Sequence, residues 1–284
     1  MSVRTFAMSG RMLIMTNSYF VRTGPNDFTG TEFTGGGWNP AEQHVAPGFG
    51  LIAHVLQQDF AERRGDDPLQ MSRVSFDIYG VYAVGPVSVE TRVLRPGRTI
   101  ELVEATLSAG GRAAIVARAW FTARFDTDSL TDVNLPTIPP RTDMPTWDIT
   151  EEWDGKFLTT VDSHRMVRSA GHSERSGKGV MAWLRAGLPV VAGEEQSTTT
   201  TLFSILDTTN GIGVLASPSE VAFPNLDLTV HLIREPAPDV DGWFGFDTSV
   251  SFGPTGLGLT QSVVQDECGP VAVSSQGLTV RPKM

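Results

Sequence analysis

The fold of this chain is decided by the stretch Pro47-Gly48-Phe49-Gly50-Leu51-Ile52-Ala53-His54-Val55-Leu56, which continues to Phe60. Its apolar residues Ile52, Val55, Leu56 and Phe60 recur at helical spacing, and the residues between them are mostly apolar as well. A helix that is hydrophobic on several sides is buried by other elements instead of lying on a surface. We therefore predict a helix from Pro47 to Phe60 that strands wrap.

The residues after this helix have the alternating pattern of β-strands. Four strands are predicted, at residues 74–78, 87–93, 100–107 and 113–123. Gly110-Gly111 separates the last two and has the composition of a tight hairpin turn, because glycine tolerates the positive φ angles of such turns. The first half is therefore one buried helix followed by an antiparallel sheet.

The second half repeats this order of signals. A helix candidate runs from Thr198 to Asp207 and ends near Asn210-Gly211, and the strands that follow are predicted at 225–232, 243–251, 257–264 and 271–280. Alignment of the turns places Gly111 opposite Gly269 and Asp77 opposite Asp227. The repeat predicts an α+β fold of two antiparallel sheets, each wrapped around a central helix.

Prolines divide the chain into these halves. Between residues 134 and 147 they suppress both helix and sheet hydrogen bonding, so we predict an extended linker there. The predicted organisation is an N-terminal domain over residues 17–133, a proline-rich linker over 134–147 and a C-terminal domain over 148–284. The segment Ala182–Glu194 has no recognisable counterpart in the first half, and we interpret it as a packing insert.

Bulk composition excludes several classes of function. A net charge of −10 argues against a nucleic-acid partner, because phosphate contacts need a basic surface. The only cysteine, Cys268, precludes an internal disulfide and fits a reducing compartment. No apolar run approaches the roughly 18 residues of a membrane span. Met1 to Met15 lacks a signal-peptide core and is interpreted as a loose extension. These features predict a cytoplasmic protein.

Three polar residues interrupt the apolar segments of the second half. Asp207 closes the helix candidate, Asn225 opens the strand that follows it, and Gln276 lies on the last strand. Buried polar groups have to be paired or used. A carboxylate and two amides together are able to hold one water molecule and direct it at a carbonyl carbon. No set of His, Cys, Asp and Glu residues has metal-ligand spacing, so neither a metal nor a cofactor is predicted.

The chain resembles the double hot-dog acyl-CoA thioesterase II (TesB-like) family, in its actinobacterial form, from about Tyr19 to Pro282. The matching residues are Gly36-Gly37-Trp38-Asn39-Pro40 with Gln43-His44, Val93-Leu94-Arg95-Pro96-Gly97-Arg98, Trp183-Leu184-Arg185 with Pro189-Val190-Val191-Ala192-Gly193-Glu194, Asn225 to Leu232, Arg234, and Val271-Ala272 with Gln276-Gly277-Leu278. The resemblance implies a hydrolase of acyl-CoA or acyl-carrier thioesters in lipid metabolism, which assembles as a homo-oligomer.

The resemblance also implies the site. The family's catalytic aspartate, hydroxyl residue and glutamine fall on Asp207, Asn225 and Gln276. Asn225 departs from the family, since an amide replaces the hydroxyl and its donor and acceptor geometry differs. In this interpretation Asp207 accepts the proton of the attacking water, Gln276 holds the water and Asn225 assists. Backbone N–H groups at the start of the second helix are expected to bind the developing oxyanion.

Other interpretations remain open. Asp227 is a rival carboxylate, but Asp77 occupies the equivalent place in a half without an expected site, so Asp227 is interpreted as structural. His44 precedes the first helix and is interpreted as a loop residue, whose replacement by alanine leaves hydrolysis within a few-fold. Were His44 a base instead, the protein would be a hot-dog dehydratase or hydratase. The unusual Asn225 also leaves open a non-catalytic acyl-binding or assembly module.

Overall fold

The first helix forms as its composition predicts. A computed structural model describes residues 17–66, 69–167, 179–213, 215–237 and 241–283, and the helix α1 runs over Val45–Arg64. Leu51, Ile52 and Leu56 on this helix are fully buried. Sheet and helix surfaces therefore surround α1 on several sides, as the apolar stretch indicates. The extension predicted from Met1 to Met15 lies outside the described residues.

The remaining elements are mainly strands. The first half contains β1 (Phe20–Arg22), β2 (Asp27–Gly30), β3 (Leu69–Ile78), β4 (Pro86–Arg95), β5 (Ile100–Ala109) and β6 (Arg112–Ala123). The second half contains β7 (Val161–Val167), β8 (Val180–Ala186), β9 (Val221–Ala222), β10 (Asp227–Leu232), β11 (Trp243–Phe252), β12 (Leu257–Asp266), β13 (Gly269–Thr279) and β14 (Arg281–Pro282). Gly110 and Gly111 join β5 to β6 with φ angles of 56° and 75°, which confirms the predicted turn.

The strands do not form two separate sheets. One antiparallel sheet of twelve strands has the order β1-β2-β4-β5-β6-β3-β10-β13-β12-β11-β8-β7, and β9 pairs with β14 beside it. The two halves meet where β3 pairs with β10, and Asp77 lies opposite Asp227 in that register. The prediction of two separate sheets is therefore corrected: twelve strands from both halves form one continuous sheet. Pairing β3 with β10 satisfies backbone groups that two separate sheets would leave exposed at their edges.

The second helix is shorter and more broken than predicted. It consists of α2 (Thr198–Phe203), a 3-10 turn (Leu206–Thr208) and α3 (Thr209–Ile212). Hydroxyl side chains explain the breaks, because they compete for backbone carbonyls: Ser204 donates to the carbonyl of Thr201, and the Thr208 side chain donates to that of Ile205. The helical run therefore ends before Asp207, which lies in the 3-10 turn.

The segment before α2 is part of the sheet and has a counterpart in the first half. Within Ala182–Glu194, residues up to Ala186 belong to β8, which pairs with β11 as β2 pairs with β4. Trp183 packs on the outer face while Leu184 lies in the main core, as the alternation of a strand requires. Residues 182–186 are therefore not an insert, although the segment does pack against the core through Leu184, Val190 and Val191. The short strand β2 offers too few residues for its equivalence to β8 to be recognised from sequence.

The proline-rich stretch runs along the outer face of the second half of the sheet. Ile138 is buried there, and its N–H donates to the Gln265 side chain at 3.0 Å. The carbonyl of Pro139 accepts a hydrogen bond from the Trp183 indole at 2.9 Å. Side chains of the sheet thus form hydrogen bonds with backbone groups of a stretch in which proline prevents regular helix or strand hydrogen bonds. Among the described helices, none is long and apolar enough to cross a membrane.

Candidate active site

A cavity of about 510 Å³ lies where the two halves meet. Its walls include residues 36–39 and 42–45 before and at the start of α1, residues 78–81 after β3, residues 207–208 and 210–211 of the broken second helix, and residues 224–226 before β10. Both halves therefore contribute to one site. Ile78, Val81 and Leu226 make part of its wall apolar.

Asp207 is the buried carboxyl group of this cavity. The 3-10 turn brings it to the wall, and Oδ1 accepts a hydrogen bond from Asn225 Nδ2 at 2.7 Å. Burial raises the pKa of Asp207 to about 7, while the hydrogen bond from Asn225 acts in the opposite direction. A carboxylate whose pKa lies near the working pH is well suited to accept a proton during a reaction.

Asn225 precedes β10 and does not open it, since the strand begins at Asp227. Its backbone forms a bridge with Leu278 of β13, which anchors the residue at the edge of the cavity. Its side-chain Nδ2 donates to Asp207 and lies 3.4 Å from the carbonyl oxygen of Asp227. The amide therefore holds one oxygen of the carboxyl group in a defined position, although these two residues come from different elements.

Gln276 does not join this pair. It is buried on β13, and its Nε2 donates to Thr209 Oγ1 at 3.0 Å. Its Oε1 has no hydrogen-bond partner in the described part of the chain. Gln276 is absent from the described lining of the cavity. It thus contacts α3 immediately after the turn that carries Asp207, and no described hydrogen bond joins it to Asp207 or Asn225.

Asp227 has a structural contact. Its Oδ1 accepts a hydrogen bond from the backbone N–H of Gly277 at 2.6 Å, which links β10 to β13. This agrees with its interpretation as a structural carboxylate. A side chain at Gly277 would meet the same oxygen, because a Cβ there would lie 2.9 Å from it. A side chain at position 277 would therefore displace the Asp227 carboxylate from this hydrogen bond.

His44 lies beside Asp207, which sequence reasoning did not anticipate. It is the N-cap of α1, where its Nδ1 accepts a hydrogen bond from the Ala46 N–H at 3.2 Å, and the same Nδ1 lies 3.6 Å from Asp207 Oδ2. Its ring also contacts the Phe157 ring, with 4.6 Å between centroids. Burial lowers the pKa of His44 to about 4, so the imidazole is neutral at pH 7. A polar residue directly before an apolar helix was the available signal for a cap.

The helix N-terminus at the cavity belongs to α1 and not to the second helix. Ser197 caps α2 by accepting from the Thr200 N–H at 3.0 Å, and these residues are not among the described residues that line the cavity. His44 and Val45 do line it. The prediction that N–H groups at the start of the second helix bind the oxyanion is therefore wrong, because these groups do not lie at the cavity. The N-terminus of the long apolar α1 lies at the cavity instead, and the first N–H groups of a helix have no partner within it.

Comparisons with known proteins agree with this architecture. Family models described as the acyl-CoA thioesterase N-terminal domain and C-terminal domain match residues 34–122 and 137–280. The search of curated proteins found no match.

A candidate thioesterase II from Thermobifida fusca is 22% identical, with a TM-score of 0.65, and the match covers 92% of this chain and 95% of that one. A protein of unknown function with a hot-dog fold from Alicyclobacillus acidocaldarius is 15% identical, with a TM-score of 0.68 and coverages of 93% and 96%. The acyl-CoA thioesterase II TesB2 from Mycobacterium marinum is 17% identical, with a TM-score of 0.62 and coverages of 93% and 96%. At these identities the structures establish the hot-dog fold, and the family models establish the kinship. The chain therefore belongs to the acyl-CoA thioesterase family that these two domain models describe.

Proposed function

We propose that the cavity between the halves hydrolyses acyl-CoA, or a related acyl thioester, with Asp207 as the general base. The observation that carries this proposal is the buried Asp207–Asn225 pair on the cavity wall, joined at 2.7 Å. Burial raises the pKa of Asp207 to about 7, so a substantial fraction is ionised near neutral pH and is able to accept a proton. The family membership supplies the class of substrate.

The reaction uses one water molecule. Its oxygen attacks the thioester carbonyl carbon while Asp207 takes a proton from it, which produces a tetrahedral intermediate with a negatively charged oxygen. The C–S bond then breaks, and the proton held by Asp207 passes to the thiolate sulfur. Asn225 occupies Oδ1 of the carboxylate, which leaves Oδ2 for the water. An amide thus performs the orienting task that a hydroxyl has elsewhere in the family.

Gln276 contributes through position. Its contact with Thr209 supports the turn that precedes α3, and this turn carries Asp207. We therefore assign Gln276 the role of a positioning residue instead of the water-holding role implied by the resemblance. Replacement of Gln276 by alanine should lower kcat and leave the pH dependence of kcat/KM in place, because the base itself remains.

The ends of the cavity suggest how the thioester lies. Among its described wall residues, Arg281 is the one Lys or Arg, and Lys283 lies nearby with its Nζ 5.3 Å from the centre of the Trp38 ring. This local positive charge suits the phosphates of CoA although the whole protein carries a net charge of −10. We place the acyl chain against the apolar residues, which include Ile78 and Leu226.

A thiol-release assay across acyl-CoA chain lengths tests the proposal. Asp207→Asn should abolish thiol release while it preserves the shape of the side chain. Asp227→Asn is the matched control, since it changes a carboxylate that contacts Gly277 instead of the cavity. Asn225→Thr, which restores the usual hydroxyl, should keep or raise the rate. Undiminished turnover by Asp207→Asn would refute the assignment of the base.

One observation favours a second candidate, a hot-dog hydratase. His44 lies 3.6 Å from Asp207, which is the kind of histidine and carboxylate pair that hydration of an enoyl thioester requires. Incubation with a 2-enoyl-CoA, with product analysis for a 3-hydroxyacyl thioester, distinguishes the two reactions. A protein that binds acyl-CoA and converts none of these substrates would instead be the non-catalytic module. The homo-oligomer and the cytoplasmic location stay predictions, and gel filtration tests the former.

A further inference from the structure

The two nitrogens of His44 have different environments. Nδ1 accepts a hydrogen bond from the Ala46 N–H at 3.2 Å, so it carries a lone pair. A proton on Nδ1 would meet the hydrogen of that N–H directly. The neutral imidazole therefore carries its proton on Nε2, and the cap of α1 selects this tautomer.

The Nε2–H has no hydrogen-bond acceptor among the described residues, although the side chain is only 16% exposed. His44 lines the cavity, and Phe157 packs against its ring. Because His44 is half-buried and lines the cavity, a water or a ligand oxygen there is able to accept a hydrogen bond from this N–H group. The free donor of His44 is thus available to an oxygen atom in the cavity.

The position of Asp207 indicates that the oxygen bound by His44 is the carbonyl oxygen of the thioester. Asp207 Oδ2, the oxygen free of Asn225, lies 3.6 Å from His44 Nδ1, so the base and the imidazole lie side by side on one wall. A water held by Asp207 attacks a carbonyl carbon whose oxygen must lie within reach of a donor. Val45 adds a backbone N–H, since the first N–H groups of a helix have no partner within it.

We propose that His44 is a catalytic hydrogen-bond donor, which binds the thioester carbonyl oxygen through Nε2–H and stabilises the oxyanion that forms there. This inference rests on the proposed hydrolysis and adds an electrophilic residue from the opposite half of the chain. His44 keeps its proton throughout, because the proton of the water goes to Asp207 and then to the leaving sulfur. The role reverses the expectation from sequence that His44 is dispensable.

Two substitutions separate catalysis from capping. Asparagine places an oxygen at the δ position, so His44→Asn keeps a good N-cap but loses the donor at the ε position. Glutamine places an N–H group at the ε position, so His44→Gln keeps a donor and weakens the cap. We expect His44→Asn to lose about a hundred- to a thousandfold in kcat, as removal of an oxyanion donor typically does, with its Tm nearly unchanged. His44→Gln should keep kcat within about tenfold of the wild type, since a donor remains, but should melt at a lower temperature.

A structural role for His44 predicts the opposite order, in which activity follows Tm and His44→Asn is the more active variant. A role as a base predicts that both variants are inactive, because neither amide accepts a proton. Either result overturns the proposal.

A measurement without turnover makes this test independent of hydrolysis. The probe is an acyl-CoA analogue in which a CH₂ group replaces the thioester sulfur and the ketone carbonyl carries ¹³C. Binding to the wild type and to His44→Gln should lower the carbonyl stretching frequency in isotope-edited infrared spectra more than binding to His44→Asn does, because only the Val45 N–H remains as a donor in that variant. Equal frequencies in all three proteins would overturn the proposal. A lowered frequency in a wild type that releases no thiol would refute the hydrolysis and leave the donor assignment intact.

Discussion

Replacement of Asp207 by asparagine should make the protein more stable above neutral pH although it abolishes hydrolysis. The reason is that ionisation of Asp207 is unfavourable in the folded protein. Burial raises its pKa from 3.8 to about 7. The folded protein therefore binds this proton more tightly than the unfolded chain does. The free energy of unfolding falls as the pH rises from about 4 to about 7, and above that range the loss is complete.

The magnitude follows from the two pKa values. A difference of one in pKa corresponds to about 1.4 kcal/mol, so ionised Asp207 costs about 4 kcal/mol of stability at high pH. Roughly 3 kcal/mol of this develops between pH 5 and pH 8. Asparagine is neutral at every pH, and its oxygen is able to accept the same hydrogen bond from Asn225. Asp207→Asn should therefore lack this component of the pH dependence.

Urea unfolding of both proteins at pH 5 and pH 8, followed by tryptophan fluorescence, measures the effect. The difference between wild type and variant cancels the contributions of all other titrating groups. We expect this difference to change by about 3 kcal/mol in favour of the variant at the higher pH. A difference that is the same at both pH values would show that Asp207 ionises normally, which would remove the physical basis for its role as a base near neutral pH.

Three further predictions follow from the described contacts. In the wild type the hydrogen bond from Asn225 lowers the pKa of Asp207, so Asn225→Ala should raise this pKa. The rise of kcat/KM should therefore move to higher pH, which a pH–rate profile measures. Arg281→Ala should raise KM for an acyl-CoA but leave KM for the corresponding acyl-pantetheine, which lacks the nucleotide, unchanged; an equal rise for both would contradict the CoA orientation. Gly50→Ala should destabilise the fold by about 1 to 3 kcal/mol, since its Cβ would lie 2.7 Å from Ser204 Cβ on the other helical segment, and a denaturation curve without a shift would contradict this packing.

The sequence by itself determined the elements whose patterns are local. The apolar run from Pro47 to Phe60 predicts a buried helix, and the structure confirms it as part of α1. The sequence also predicts the alternating strands and the Gly110-Gly111 turn, because side-chain alternation and the positive φ angles of a turn depend on residues that are adjacent in the chain. Alignment of the halves made Asp77 and Asp227 equivalent positions of the repeat, but it did not predict that they lie opposite each other where β3 pairs with β10.

Only the tertiary structure decided how these elements meet. Edge pairing of β3 with β10 joins the sheets, and no local pattern specifies the partner of a strand edge. The second helix breaks before Asp207 because hydroxyl side chains such as that of Ser204 bind backbone carbonyls of the helix. Whether a hydroxyl group does so depends on its packing, which the sequence pattern does not specify. His44 reaches Asp207 because α1 directs its N-terminus across the junction of the halves, whereas Gln276 turns to Thr209. Contacts between residues so distant in the chain arise from the packing of whole elements, which periodicity does not encode.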